Sequence, residues 1–132
     1  MKSPKKARRR EELTVFLLSC RGYYAIQKRP DRGLLAGLWE FPNISGKFTP
    51  EEAAIYIRNL GTEVLSCETC GNAVHIFTHV EWHMTGYLAE CVTPLDAFTW
   101  ESAQTIRTHY AIPTALRAYL EIMEKDAEGK NH

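Results

Sequence analysis

The chain has 132 residues, 45% of them hydrophobic and 24% charged, with sixteen basic residues balanced by sixteen acidic ones. That suits one compact domain with an ordinary core and leaves no comfortable room for a second. No apolar run approaches the ~20 residues of a membrane span and no charged-then-apolar leader is present, so neither a membrane nor a secreted protein is expected and a cytoplasmic setting is the default.

The neutral balance hides an asymmetry. Lys2, Lys5, Lys6, Arg8, Arg9 and Arg10 stand in the first ten residues without an acid, which leaves the body at about −6. Residues 1–11 read as a basic flexible arm or interdomain linker, either solvated or neutralising phosphates, and the two are compatible. The acidic body argues against broad, non-specific DNA binding, so contact by the folded part is expected to be local. Leu13–Cys20 and Tyr23–Lys28 read as strands paired around Arg21-Gly22. Arg29–Gly33 is a loop, and Leu38–Phe41 resumes an extended path. A helix is predicted from an N-cap at Thr49, with Pro50 in its first turn and Glu52 closing a capping box, to a stop at Gly61. Ala53, Tyr56, Ile57 and Leu60 give that helix an apolar stripe for covering a sheet. Glu63–Cys67 is predicted as a short strand, followed after Gly71-Asn72 by Ala73–Phe77. Val80, Trp82 and Met84 then alternate with Glu81, His83 and Thr85 in the period of a half-buried strand running to Glu90. Trp100 leads into a short helix to about Arg107. Pro113 opens a last helix with Leu116, Tyr119, Leu120 and Met123 inward, and residues 126–132 read as a disordered tail. The folded unit is expected over residues 12–125, an α+β arrangement with helices on two sides of a mixed sheet.

The four cysteines, at 20, 67, 70 and 91, and the histidines raise the question of a metal. Cys67 and Cys70 form a lone CxxC, and with His75 and His79 the pairs stand too close together for a zinc finger. His75, His79 and His83 recur every four residues. On a strand each step separates them by roughly 13 Å, too far for one ion unless the chain turns sharply at Thr78. No metal site is expected, and the thiols read as reduced. The three tryptophans read as core.

Tyr24–Pro30, the segment Gly33-Leu-Leu-Ala-Gly-Leu-Trp-Glu-Phe-Pro42, Phe77-Thr-His79 and Tyr110-Ala-Ile-Pro113 together resemble the C-terminal domain of the MutY family of adenine DNA glycosylases. The resemblance covers roughly residues 12–125. Leu38–Pro42 alone is shared with MutT-type hydrolases, but a Nudix hydrolase gathers several glutamates on one helix face to hold divalent cations at a phosphate chain. Here Glu51 and Glu52 are neighbours that cannot share a face, and residues 53–60 contain no acid. The resemblance therefore implies a Nudix-like α/β/α sandwich whose catalytic helix is degenerate. It further implies recognition of 8-oxoguanine opposite a misincorporated adenine in double-stranded DNA, while a separate N-terminal glycosylase domain excises the adenine in base excision repair. A 4Fe-4S cluster is implied only for that other domain, which has no counterpart here, and no cofactor is expected in this chain. The setting implied is bacterial, at the nucleoid through DNA, and the domain is expected to be a monomer.

The base itself indicates what a reader needs. Guanine presents an acceptor at N7, whereas 8-oxoguanine presents N7–H and an added carbonyl at C8. In the family the matching loop is usually Phe-Ser-His, and Thr78 keeps the hydroxyl while adding a methyl. A hydroxyl both donates and accepts, so discrimination is expected to depend on loop backbone groups held fixed around Thr78. Phe77 would pin the loop or pack beside the nucleotide, and His79 would meet the base or a phosphate. Lys28, Arg29 and Arg32 border a loop and are candidate phosphate contacts, with a solvated face as the other reading. Glu40 either meets a base edge or pairs with a nearby cation. No catalytic residue is assigned. The alternatives are an active MutT-like Nudix pyrophosphatase and a protein-interaction module using the same surface.

Overall fold

The computed structural model describes residues 7–130. Strands β1 (Arg9–Cys20) and β2 (Tyr23–Lys28) form the expected hairpin. Arg21 and Gly22 close it at φ 53° and 86°, the double positive-φ turn whose twist matches that of its strands. Then follow β3 (Trp39–Glu40), β4 (Asn43–Ser45), α1 (Pro50–Asn59), β5 (Val64–Ile76), β6 (Val80–Cys91), β7 (Thr99–Ser102), α2 (Ala103–His109), a 3-10 turn (Thr114–Leu116) and α3 (Arg117–Gly129). The sheet order is β3-β2-β1-β6-β5, with β4 added to β1 and β7 to β2. β1 and β6 run parallel from Arg9↔Val80 to Ser19↔Glu90, and the other pairs are antiparallel.

Alternation on the central strands sorts side chains to two faces. Val15 and Leu17 of β1 join Trp82 and Met84 of β6 on one face, under Ile106 of α2 and Tyr119 and Met123 of α3. Phe16 and Leu18 join Tyr87 and Ala89 on the other, under Ala53 and Ile57 of α1. The result is an α+β sandwich with a mixed sheet between helices. α1 begins as the sequence dictates: Thr49 accepts from the Glu52 N–H, Glu52 accepts from the Thr49 N–H, and Pro50 opens the first turn. Its stripe ends one turn early, because Leu60 is exposed past the helix end.

Four expectations need correction. Residues 9–11, assigned to the flexible arm, are strand, because β6 offers a parallel partner and the Arg9 N–H donates to the His79 carbonyl at 3.1 Å; residues 1–6 of that arm lie outside the described residues. The tail assigned from 126 is helical to Gly129. The Tyr24 hydroxyl donates to Asp126, and Lys130 reaches Asp126 at 2.9 Å and Ser19 Oγ at 3.1 Å, tying that turn to the sheet; residues 131–132 are outside the description. Gly71 and Asn72 do not interrupt β5, which absorbs them through a register shift between Thr69 and Gly71, with Gly71 at φ 127°. Trp100 is in a strand rather than a helix because β2 has an open edge that pairs Ala25 with it.

Candidate nucleic-acid interface

Phe77, Thr78 and His79 form the connection between β5 and β6. The Phe77 N–H donates to the Val80 carbonyl at 2.8 Å, which leaves Thr78 and His79 alone at the tip, both exposed. Phe77 is half-buried and meets Trp82 edge-to-face, with centroids 4.9 Å apart at 73°, and His75, the cross-strand partner of Trp82, also meets it edge-to-face at 4.7 Å. Phe77 thus packs at the base of the tip, on the sheet. The parallel pairing of β1 with β6 brings the start of β1 to the same place. Arg8 Nε donates to the Phe77 carbonyl at 3.2 Å, and Ala7, Arg8, Arg9, Thr78 and His79 line a surface hollow of about 460 Å³. The sequence separates the basic arm from the turn at Phe77–His79, because nothing in either segment signals that residues 9 and 80 are neighbours.

The arginines beside the tip have modest internal commitments. Arg9 pairs with Glu11 at 3.1 Å, Arg10 with Glu12 at 3.0 Å and Arg8 with Glu81 at 3.6 Å. Pairs this exposed each contribute ~0–1 kcal/mol, so a phosphate competes for these guanidinium groups at small cost. Glu81 also takes a 3.0 Å hydrogen bond from His83. That bond first, and then the charges of His83, Arg8 and Arg10, hold its carboxyl below the usual glutamate range.

The three basic residues expected at phosphates part company. Lys28, at the end of β2, and Arg32, in the following loop, are exposed and form no ion pair with the described residues. Arg29 is turned inward: Nη1 meets Glu40 at 2.5 Å, Nε donates to the Leu34 carbonyl at 3.0 Å, and the guanidinium lies 5.3 Å from the centroid of the Trp82 ring. Unlike Lys28 and Arg32, Arg29 thus has its Nη1 and Nε engaged inside the domain. Glu40 is 6% exposed and its second oxygen accepts from Gln27 at 2.7 Å, so it pairs with a cation rather than facing a base. Trp82 is core, as read, but it is also the floor beneath the tip, with its Nε1 donating to Glu11 at 3.1 Å. Trp39 and Trp100 are only partly buried.

Among the described residues no three His, Cys, Asp or Glu side chains converge as a metal site does. His75 packs on Phe77 while His83, opposite Val74, bonds Glu81 on the other face of the hairpin, with His79 at the tip between. The CxxC is split in the same way. Cys67 packs toward α1 and Cys70 toward α3, as alternation along a strand requires of residues three apart. On α1, Glu52 is used in the cap and the residues from Ala53 to Asn59 contain no carboxylate. Among the described residues no helix is long and apolar enough to cross a membrane.

Three of the four segments that carry the sequence resemblance meet in space, with Lys28 of β2 paired to Trp39 of β3. The Trp39 N–H donates to the Ala111 carbonyl at 3.1 Å, and the Trp39 ring packs edge-to-face on Tyr110 with centroids 4.8 Å apart. The profile of the NUDIX domain matches residues 14–122. Over 119 residues the chain is 29% identical to an adenine DNA glycosylase of Rattus norvegicus, covering 77% of this chain and 22% of that protein. Over 74 residues it is 34% identical to the adenine DNA glycosylase of Arabidopsis thaliana, covering 45% of this chain and 12% of that one. The chain thus spans under a quarter of the length of either relative. Among solved structures, the C-terminal domain of mouse MUTYH, seen in complex with human PCNA, superposes with a TM-score of 0.71 at 19% identity, over 92% of this chain and 91% of that one. A MutT protein from Methanosarcina mazei superposes at 0.66 with 13% identity, over 95% and 98% of the two chains. At these identities the superpositions speak for the fold, while the profile and the sequence matches speak for descent: the chain belongs to the Nudix family and is homologous to the Nudix-like C-terminal domain of adenine DNA glycosylases.

Proposed function

We propose that this domain reads 8-oxoguanine opposite adenine for an adenine DNA glycosylase, does no chemistry itself, and works beside a separate catalytic domain that removes the adenine. The observation that carries the reading is the juxtaposition of the exposed Thr78-His79 tip with Arg8 and Arg9 over an aromatic floor of Phe77 and Trp82. Each part has a task. The arginines neutralise phosphates flanking the lesion and position the duplex without reading sequence. The Thr78 hydroxyl accepts from the N7–H that only the oxidised base offers, and the backbone at the tip supplies a donor to O8. The donor to O8, which has no partner on guanine, discriminates by ~1–3 kcal/mol, which suits a domain that sharpens specificity rather than one that captures DNA alone. α1 supports the non-catalytic part of the proposal, since a helix with acids only in its first turn lacks the repeated carboxylate face that holds divalent cations.

The test is an NMR titration of the labelled domain at low salt with matched duplexes bearing 8-oxoguanine·adenine or guanine·adenine. Amide shifts at Phe77, Thr78 and His79 seen only with the oxidised base are expected, and they should vanish in Thr78→Val. Equal shifts with both duplexes, confined to the basic N-terminal residues, would reduce the domain to an electrostatic tether. Magnesium-dependent hydrolysis of 8-oxo-dGTP by the domain would overturn the non-catalytic assignment.

A further inference from the structure

Among the described residues Arg29 is the one strongly basic side chain drawn inside beside the tip, and its geometry is over-determined. Its side chain is 18% exposed and that of Glu40 is 8% exposed. Three separate groups fix the guanidinium plane: the Glu40 carboxylate on Nη1, the Leu34 carbonyl on Nε, and the face of Trp82 at 5.3 Å. Glu40 is fixed in turn by Gln27 at 2.7 Å. Trp82 is held at its indole N–H by Glu11, and Phe77, the residue before Thr78, packs on its ring. One contiguous run of contacts therefore leads from Glu40 through Arg29, Trp82 and Phe77 to the tip.

We propose that Arg29 is a positioning residue for lesion reading: held by Glu40 and Leu34, it sets the plane of Trp82 and thereby the pose of Phe77 and the tip Thr78-His79. This rests on the reading given above. The reason for such a brace lies in the chemistry of Thr78. A hydroxyl accepts from N7–H of the oxidised base and donates to N7 of guanine equally well, so identity alone cannot discriminate. Orientation can, because a backbone donor fixed opposite O8 has no partner on guanine. A buried ion pair adds little net stability relative to apolar residues of the same size, since desolvation offsets its attraction. What this pair supplies is direction. Lysine cannot replace it, because a single flexible ammonium cannot lie flat on Trp82 while donating to both Glu40 and Leu34. Arg29 acts on discrimination, whereas Arg8 and Arg9 act on affinity for any duplex.

The experiment measures dissociation constants of the domain for the two duplexes in wild type and Arg29→Lys, with amide relaxation of the free proteins at Thr78 and His79. Wild type should prefer the oxidised duplex. Arg29→Lys should bring the ratio at least about five-fold closer to one, leave affinity for the guanine duplex within about two-fold, and raise fast mobility at the tip amides while those of β1 stay unchanged. Should Arg29→Lys not fold, Trp82→Phe is measured in its place, with the same loss of ratio and the same gain in mobility expected. A folded variant that retains the wild-type ratio overturns the role of Arg29 alone. A wild-type domain that binds both duplexes equally overturns the lesion reading and this inference with it.

Discussion

Gly86 sits in β6 where the β5–β6 hairpin packs on the core, and replacing it by alanine tests whether that part of the sheet is as tightly built as it looks. A Cβ at this position would stand 2.3 Å from Tyr119 Cε1, 2.9 Å from Cys70 Sγ and 2.9 Å from the Gly71 carbonyl oxygen. None of the three can yield easily. Tyr119 is fully buried and its hydroxyl donates to that same Gly71 carbonyl at 3.0 Å, so the ring is held at both ends. Gly71 lies in the ladder opposite Gly86, at the register shift of β5. Overpacking a rigid site costs ~1–3 kcal/mol. If the ring swings away it also gives up a buried hydrogen bond, which adds ~1 kcal/mol. Gly86→Ala should therefore lose about 2–4 kcal/mol, while Tyr119→Phe, which loses only the bond, should lose about 1 kcal/mol. Urea unfolding followed by circular dichroism gives both values from the midpoint and slope. A loss for Gly86→Ala below about 0.5 kcal/mol with an unchanged slope would refute the close packing of α3 on this hairpin.

Two further outcomes follow from the same structure. Replacing both Arg8 and Arg9 by glutamine should weaken duplex binding about equally for oxidised and normal bases and flatten the salt dependence by ~0.9 in log–log slope per lost contact, or roughly 3.5-fold per contact between 50 and 200 mM salt; fluorescence anisotropy at four salt concentrations reads this, and an unchanged slope would place the phosphates elsewhere. Burial, with the neighbouring Cys67 as a smaller cause, pushes the Cys70 thiol up to about 12, and burial with Cys20 nearby pushes Cys91 up to about 11. At pH 8 the thiolate is then at most about a thousandth of either thiol. Mass spectrometry should find both far slower to react with iodoacetamide in the native domain than in urea, and equal rates would show that these faces open readily.

What the sequence made legible was local. The cap of α1 is written in Thr49, Pro50 and Glu52, the first hairpin in Arg21-Gly22, and the inward face of β6 in the alternation of Val80, Trp82 and Met84; each depends on neighbours within four residues. What it hid was non-local or two-valued. Arg9 and Arg10 look like solvated arm until β6 supplies a parallel partner some seventy residues away. Gly71-Asn72 carries the composition of a turn, but a bulge in a continuous ladder needs the same backbone freedom. Arg29 is the clearest case for the site itself. Beside Pro30 and Asp31 it has the setting of an exposed loop cation, and only the folded position of Glu40, eleven residues on, turns it inward. Phe77, Thr78 and His79 stand out as a candidate in the sequence because they are contiguous, while Trp82 and the arginines beside them come from separate strands.

The contrast between α1 and the tip indicates where a Nudix frame can change its task without changing its fold. A metal-binding helix needs carboxylates repeating at three- or four-residue steps on an outward face. Here the outward positions that follow Glu51 are Ile55, 55% exposed, and Arg58. An apolar residue and a cation therefore stand where the repeat would continue. The inward positions, Ala53 and Ile57, are fully buried and still cover the sheet beneath Phe16 and Leu18. Cover depends on the inward stripe and catalysis on the outward one, so the outward stripe can be lost while the sandwich survives. The tip is independent of both. It projects from the end of β5 and β6, beyond the reach of α1, and is braced from the opposite face by Trp82 and Arg29. Placing acids on α1 alone should thus leave the reading proposed for the tip unaffected, because the two surfaces share a sheet but no side chains.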